Sequence, residues 1–251
     1  MDLREKGSGN PEEHWYYYHK SRLILQSVKR YASSYSPLID VGSGSGFFAK
    51  EIRDNFASEE IYCIDPNYAP SEIGCIAGIN YQIDFPKCKG NLYLFIDVLE
   101  HVSDDRALLS SYVSNSNPKS IFILSVPAFM SLWSPHDVFL GHFKRYKLIE
   151  LETLAKECQL EILEARYLFG PIFPLVYLYR KLRRNRQPSS DIQVNSRFAN
   201  AILKKVLWMD LHLKFNRAFG TSAYVVAKAV KGDRLMINED VLNRPGGRIV
   251  R

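Results

Sequence analysis

Residues 37 to 52 constrain this chain more than any other stretch. Leu38 to Val41 is a short apolar run of the kind that forms a buried strand. Gly42, Gly44 and Gly46 interrupt it, and Phe47 opens a helical pattern that reaches about Phe56. Strand, glycine turn and helix in that order are the front of a βαβ unit. Glycine accepts positive φ and has no Cβ to hold a ligand off the backbone. The helix that follows begins with unpaired N–H groups and a partial positive charge. Spacing separates two ligand classes. A dinucleotide turn wants G-x-G-x-x-G; here the third glycine comes one residue early and Phe47 stands where that pattern wants glycine. Asp40, two residues ahead of Gly42, adds a carboxylate that repels a pyrophosphate and suits an ammonium or sulfonium. Asp40 and Phe47 together oppose an NAD-dependent enzyme.

The same alternation continues down the chain. Residues 61–64 read as a second strand ending at Asp65, roughly 20 residues past Gly46, where a strand-end acid accepts hydrogen bonds from ribose hydroxyls. Residues 80–83 read as a third strand ending at Asp84. Residues 91–97 form a nearly continuous apolar fourth strand, as expected of a central parallel strand covered on both faces. It runs into Asp97-Val98-Leu99-Glu100-His101-Val102, with Ser103 and Asp104 capping a helix to about Val113. A fifth strand over 121–126 closes at Pro127, a helix follows over 148–158, and a sixth strand spans 160–167. Short connections between alternating strands and helices predict an open parallel α/β sheet.

Asp40, Gly42, Gly44 and Gly46 complete the pattern D-x-G-x-G-x-G, which resembles motif I of the Rossmann-like (class I) S-adenosylmethionine (SAM) methyltransferases. The run from Asp97 to Val102 is similar to that family's D-x-L-E-H-V signature, and the resemblance spans roughly residues 37–167. It implies an α/β fold with a doubly wound, mostly parallel seven-stranded sheet, its last strand antiparallel and inserted beside the fifth. It implies SAM as cofactor, with Asp40, Gly42, Ser43, Gly44, Gly46, Asp65 and Asp97 around it and Asp84 on the adenine side. The organisation expected is an N-terminal helical segment over the site (1–36), the SAM-binding core (37–167), a helical insertion (168–220), the last core strand (221–231) and a flexible tail (232–251).

Between the fifth strand and the next helix, residues 127–147 carry Trp133, His136, Asp137, His142, Lys144, Arg145 and Tyr146. Open α/β sheets bind ligands outside the carboxyl ends of their strands, so this long loop is a candidate lid and substrate contact, with Trp133, Asp137, Arg145 and Tyr146 as its substrate-facing residues. Its form His136-Asp137-x-x-x-Gly141-His142-x-x-Arg145-Tyr146 looks like a subset of these enzymes linked with polyprenyl or cell-envelope sugar metabolism. A base is needed only for a hydroxyl or ammonium acceptor, and histidine suits that duty near neutral pH. His136 is the first candidate, ahead of His142 and His101.

Residues 168–179 are apolar and aromatic, and five basic residues follow within 180–186. The run is shorter than the roughly 18 to 20 residues that cross a bilayer. Its composition suits an element at an anionic membrane surface that receives a small or lipid-linked acceptor. The expected function is methyl transfer to such an acceptor at oxygen. The alternative is a catalytically idle methyltransferase-like binding or scaffold module at the membrane surface. A net charge of +6 allows an anionic partner, but no stacking-aromatic groove or recognition motif points to nucleic acid. Cys63, Cys75, Cys88 and Cys158 form no C-x-x-C pair and have no histidine at zinc-ligand spacing, so reduced thiols and no metal site are expected. With no apolar leader at Met1, the expected setting is cytoplasmic, peripheral to the membrane.

Overall fold

The computed structural model describes residues 11, 13–56, 59–182, 197–211 and 216–230. Its centre is β1 (Leu38–Val41), paired in parallel on one side with β2 (Ile61–Ile64) and on the other with β5 (Leu92–Ile96). Both β1 and β5 are buried along their whole length, because helices cover the two faces of the sheet. β2 continues outward to β4 (Ile79–Gln82), and β5 continues to β6 (Ile121–Pro127), again in parallel. Beyond β6 the direction inverts. β8 (Ser222–Ala229) lies antiparallel beside β6, and β7 (Leu160–Leu168) lies antiparallel beside β8.

The sheet has eight strands rather than seven, in the order β3-β4-β2-β1-β5-β6-β8-β7. The added strand, β3 (Gly74–Ile76), pairs antiparallel with β4 at the edge, and all three of its residues are exposed. Positive φ at Ala77 (50°) and Gly78 (78°) forms the tight turn between the two. The antiparallel last strand next to the fifth parallel strand is as expected.

α1 (Trp15–Tyr31) and α2 (Phe47–Phe56) cover one face of the sheet, where Leu23, Ile24, Val28, Phe48 and Ile52 meet Leu38, Leu92 and Leu94. α3 (Asp105–Ser114) and α5 (Leu148–Glu157) cover the other, through Leu109, Tyr112, Leu151 and Leu154. The region between β6 and α5 is not all irregular. It holds the short helix α4 (Pro135–Leu140), begun by proline and ended by Gly141 at φ 75°. The insertion between β7 and β8 contributes α6 (Phe173–Leu182) and α7 (Arg197–Leu207), the latter passing into a 3-10 turn at Trp208–Leu211. The expected basic positions Arg183, Arg184 and Arg186, the hinge at 187–190 and the tail at 232–251 lie outside the described residues. No helix among the described residues is long and apolar enough to cross a membrane.

Candidate functional site

The chain runs outward from β1 through β2 and β4 on one side and from β5 through β6 on the other. The strand order therefore reverses between β1 and β5, the place where open sheets bind ligands. Two loops meet at that switch point. The turn after β1 has positive φ at Gly42 (63°), Gly44 (53°) and Gly46 (69°), the left-handed region that side chains resist. Gly42 and Ser43 donate to the Ile64 carbonyl at 2.7 and 3.2 Å, which holds the turn against the end of β2. A Cβ on Gly46 would stand 2.8 Å from the Tyr81 hydroxyl. The backbone cradle depends on that missing atom.

Two acids flank the turn. Asp40 is buried at its entry. Asp65 is fully buried at the end of β2 and accepts the Gly44 N–H at 3.1 Å, while its other oxygen accepts the backbone and side-chain N–H groups of Asn67 at 3.0 and 3.1 Å. The Ser43 and Tyr68 hydroxyls are 2.7 Å apart, and Tyr68 is nearly edge-on to Tyr81. Asp40, Gly42, Ser43, Gly44, Gly46 and Asp65 are thus brought to one place. Asp84 stands apart on the exposed segment after β4, its carbonyl taking the Gln82 amide at 2.9 Å.

Asp97 ends β5 with φ 55°, unusual for a residue other than glycine. Its carboxylate is clasped from α1. Lys20 Nζ sits 2.8 and 2.6 Å from the two oxygens, and the Tyr16 hydroxyl donates at 2.8 Å. Burial alone would raise the Asp97 carboxyl, but the Lys20 ammonium outweighs it and holds the group below its ordinary range. Burial and the neighbouring Asp97 push the Tyr16 phenol well above 10. Lys20 is completely buried, so α1 closes one side of the crevice with a charge it cannot hydrate.

The loop after β6 returns to its own start. Phe129 donates to the Tyr146 carbonyl at 3.0 Å and Tyr146 to the Pro127 carbonyl at 2.9 Å. Inside it, Asp137 is a fully buried hub. It accepts the Ser134 N–H at 2.8 Å and Arg145 Nε at 2.7 Å, lies 2.8 Å from His142 Nδ1, and has Arg180 of α6 at 3.6 Å. Burial raises the Asp137 carboxyl; the His142 hydrogen bond and the Arg145 and Arg180 charges more than reverse that, leaving it far below the usual carboxylate range. His136 is buried nearby, and desolvation, then Arg180, lowers its pKa to about 4, so it is neutral at pH 7. His101 packs edge-to-face on His142 with ring centres 4.6 Å apart. The Tyr146 hydroxyl reaches the Leu99 carbonyl at 3.1 Å and Asp105 at 2.7 Å, so it ties the loop to the turn after β5. Trp133 is half-buried.

Four residues at this site were not singled out in the sequence. Lys20 and Tyr16 look like ordinary members of an amphipathic helix; Tyr68 follows a strand-end acid without any motif; Arg180 sits in a basic run read as facing an anionic membrane surface. Only a lysine on the buried stripe of α1, in register with Leu23 and Ile24, carries a local signal.

A family model described as a methyltransferase domain matches residues 14–165. No curated protein matches the chain significantly in sequence. Among solved structures, the chain is similar to the putative methyltransferase in a complex with the Haloferax volcanii Trm112 methyltransferase activator (13% identity, 92% of this chain and 95% of that one, TM-score 0.57). It is similar to a putative sarcosine dimethylglycine methyltransferase from Galdieria sulphuraria (14% identity, 85% and 86%, TM-score 0.55). It is also similar to phosphoethanolamine N-methyltransferase 2 of Haemonchus contortus in complex with S-adenosyl-L-methionine (14% identity, 84% and 53%, TM-score 0.52). At these identities the likeness is one of fold.

Proposed function

Since the chain belongs to the methyltransferase-domain family, matched over 14–165, we propose that it transfers the methyl group of SAM to an oxygen of a small or lipid-linked acceptor. One observation carries the cofactor half: three glycines at positive φ lie between two buried carboxylates, Asp40 and Asp65, at the sheet's switch point. Bound SAM supplies an electrophilic methyl on a cationic sulfur. The glycine turn lets the nucleoside approach the backbone, and Asp40 favours a positive over a negative ligand. Asp65 has the position to take the ribose hydroxyls, exchanging its bonds to Gly44 and Asn67 for them. Asp97, clasped by Lys20, and Asp84, farther out, are assigned to the amino-acid and adenine ends. In-line displacement then asks the protein to position the acceptor and exclude water.

The oxygen assignment rests on His142. Asp137 holds its Nδ1 at 2.8 Å, which favours the tautomer whose Nε2 accepts a proton, the usual arrangement of an oriented general base. His136, kept neutral by burial, is the second candidate. Trp133 and Arg145 would border the acceptor. The lipid assignment rests on α6, where Leu175, Leu178 and Leu182 are 67, 55 and 78% exposed beside the exposed Lys181. On α7 and the 3-10 turn that ends it, Ile202, Val206 and Trp208 are exposed beside Lys204 and Lys205. Apolar side chains flanked by cations suit an anionic bilayer surface.

Titration calorimetry with SAM is expected to show binding that weakens at least tenfold in Asp65→Ala; absence of heat in the unaltered protein overturns the enzyme reading in favour of an idle scaffold. Incubation with methyl-labelled SAM and a membrane lipid extract should label a lipid-soluble product at oxygen. Label on nitrogen, or only in the aqueous phase, refutes the respective half. Leu178→Asp with Leu182→Asp, which remove no buried contact, should abolish sedimentation with anionic vesicles.

A further inference from the structure

Glu100, His101 and His142 each offer one ligand-type atom, and these atoms lie within 4.8 Å of one another. Glu100 and His101 come from the turn directly after β5, and His142 from just beyond the C-terminal end of α4. The two segments are fastened where Phe143 donates to the Glu100 carbonyl at 2.7 Å. Glu100 is fully buried and His101 almost so. From these positions we infer that the three side chains form a binding site for a divalent transition-metal ion, and that this ion holds the acceptor oxygen. The second half rests on the methyl-transfer reading above; the first does not.

Two histidines and one carboxylate are the donor set of open, three-ligand sites for zinc or ferrous-type ions, which leave coordination positions for a substrate. Ligands of one ion at about 2.1 Å stand roughly 3.4 Å apart when tetrahedral, so the side chains close inward by about 1 Å or a little more on binding. The supporting shell is in place. A metal-bound histidine usually gives its other ring N–H to a carboxylate, which fixes ring and tautomer; His142 has Asp137 at 2.8 Å on Nδ1, and Asp137 is itself held by Ser134 and Arg145. Placement matters equally. The cluster begins three residues past Asp97, at the carboxyl end of β5, beside the switch point where the methyl group would be presented.

The sequence hides this set, since Glu100 and His101 are adjacent and His142 is some forty residues away. None belongs to a spaced metal motif.

In the reaction, an acceptor hydroxyl bound to the ion gives its proton to solvent more readily than when unbound. The oxygen lone pair forms the new O–CH3 bond as the S–CH3 bond breaks, and its electrons remain on sulfur as a neutral thioether. His142 is then a ligand and not the base, so transfer to oxygen rests on the ion in place of a histidine base, and the acceptor class narrows to hydroxyl-bearing groups that can reach a metal.

Cobalt(II) is the probe. The full chain, stripped with a chelator and dialysed, is titrated with cobalt and followed by visible ligand-field absorption. We expect saturation at one ion per chain. His101→Gln and His142→Gln should abolish the signal, while His14→Asn, at the N-terminus of α1 and outside the cluster, should keep it. Glu100→Gln is nearly isosteric and should weaken cobalt affinity at least tenfold while circular dichroism stays unchanged. No signal in the unaltered chain, or equal affinity in Glu100→Gln, refutes the site. SAM calorimetry on the stripped protein separates the two readings: SAM binding without cobalt binding removes the metal alone, and cobalt binding without SAM removes the methyl-transfer reading alone.

Discussion

The clasp between α1 and the end of β5 yields the sharpest test. Lys20 Nζ touches both Asp97 oxygens, at 2.6 and 2.8 Å, and is wholly buried, whereas the Asp97 side chain keeps 30% exposure. Breaking a buried pair by removing one partner costs about 3 to 5 kcal/mol, because the other charge stays behind without compensation. Lys20→Met strands the carboxylate, which retains Tyr16 and some water, so the loss should sit near the lower end, about 3 kcal/mol. Asp97→Asn strands the ammonium, which has no water, and the loss should approach about 5 kcal/mol. The double variant leaves neither charge and should lose only about 1 to 2 kcal/mol, since apolar and amide groups of similar size fill the same space. The single losses together exceed that of the double variant by about 6 to 7 kcal/mol, a coupling beyond the roughly 3 kcal/mol that contacting pairs usually show. Urea unfolding of the four proteins at pH 7.5, with m-values compared, measures it. Losses that add, or single variants costing less than about 1 kcal/mol, would refute the claim that α1 is locked by charge. Because the Asp97 carboxyl is held below its unfolded value, its contribution is present at neutral pH and is lost as pH falls below about 4.

Other expectations follow from single contacts. Gly46→Ala puts a Cβ into the Tyr81 hydroxyl and forces a side chain to φ 69°, a backbone cost of about 1 to 2 kcal/mol before any movement of Tyr81; the melting temperature should drop and SAM affinity fall with it. His14 caps α1 by accepting the Tyr16 N–H on Nδ1, and desolvation, helped by Lys204, lowers its pKa from 6.5 to about 4. The folded state therefore binds fewer protons than the unfolded one between those values, and up to about 3 kcal/mol is lost as pH falls from 6.5 to 4. His14→Asn, which keeps a cap acceptor, should flatten that part of the stability–pH curve. Tyr146→Phe leaves the Leu99 carbonyl without its hydroxyl at an otherwise buried position, a loss of about 1 to 3 kcal/mol measurable by urea midpoint.

The parts of this molecule that depend on neighbours in sequence were legible, and those that depend on distant ones were not. Strand β1, its glycine turn and α2 follow from local backbone rules, and the existence of the remaining parallel strands follows from their apolar runs and short connections. β3 escaped because its three exposed residues, Gly74–Ile76, show no alternation; only the hairpin with β4 makes them a strand. The loop after β6 displayed its chemistry by residue type, yet its pairings were hidden. Asp137 stands next to His136 but engages His142 and Arg145, and Arg180 of α6 joins them from far along the chain. Tyr146 was expected beside substrate, and its hydroxyl is engaged with Leu99 and Asp105. Lys20 illustrates the general limit. A lysine among apolar helix neighbours signals burial, but its partner, Asp97, is found only once the helix lies on the sheet.

Leu168 and Ser222 are register partners on adjoining strands. The described residues between them, 169–182, 197–211 and 216–221, thus leave the sheet and rejoin it at a single doorway. The segment is pinned beyond that doorway as well: Leu207 of α7 is buried in the core with Leu23 and Ile24 of α1, the Trp15 N–H donates to Asn200 at 3.3 Å, and Arg180 of α6 reaches the Leu132 carbonyl at 2.8 Å and Asp137 at 3.6 Å. A shift of this insertion therefore reaches the helix that clasps Asp97 and the loop after β6 together.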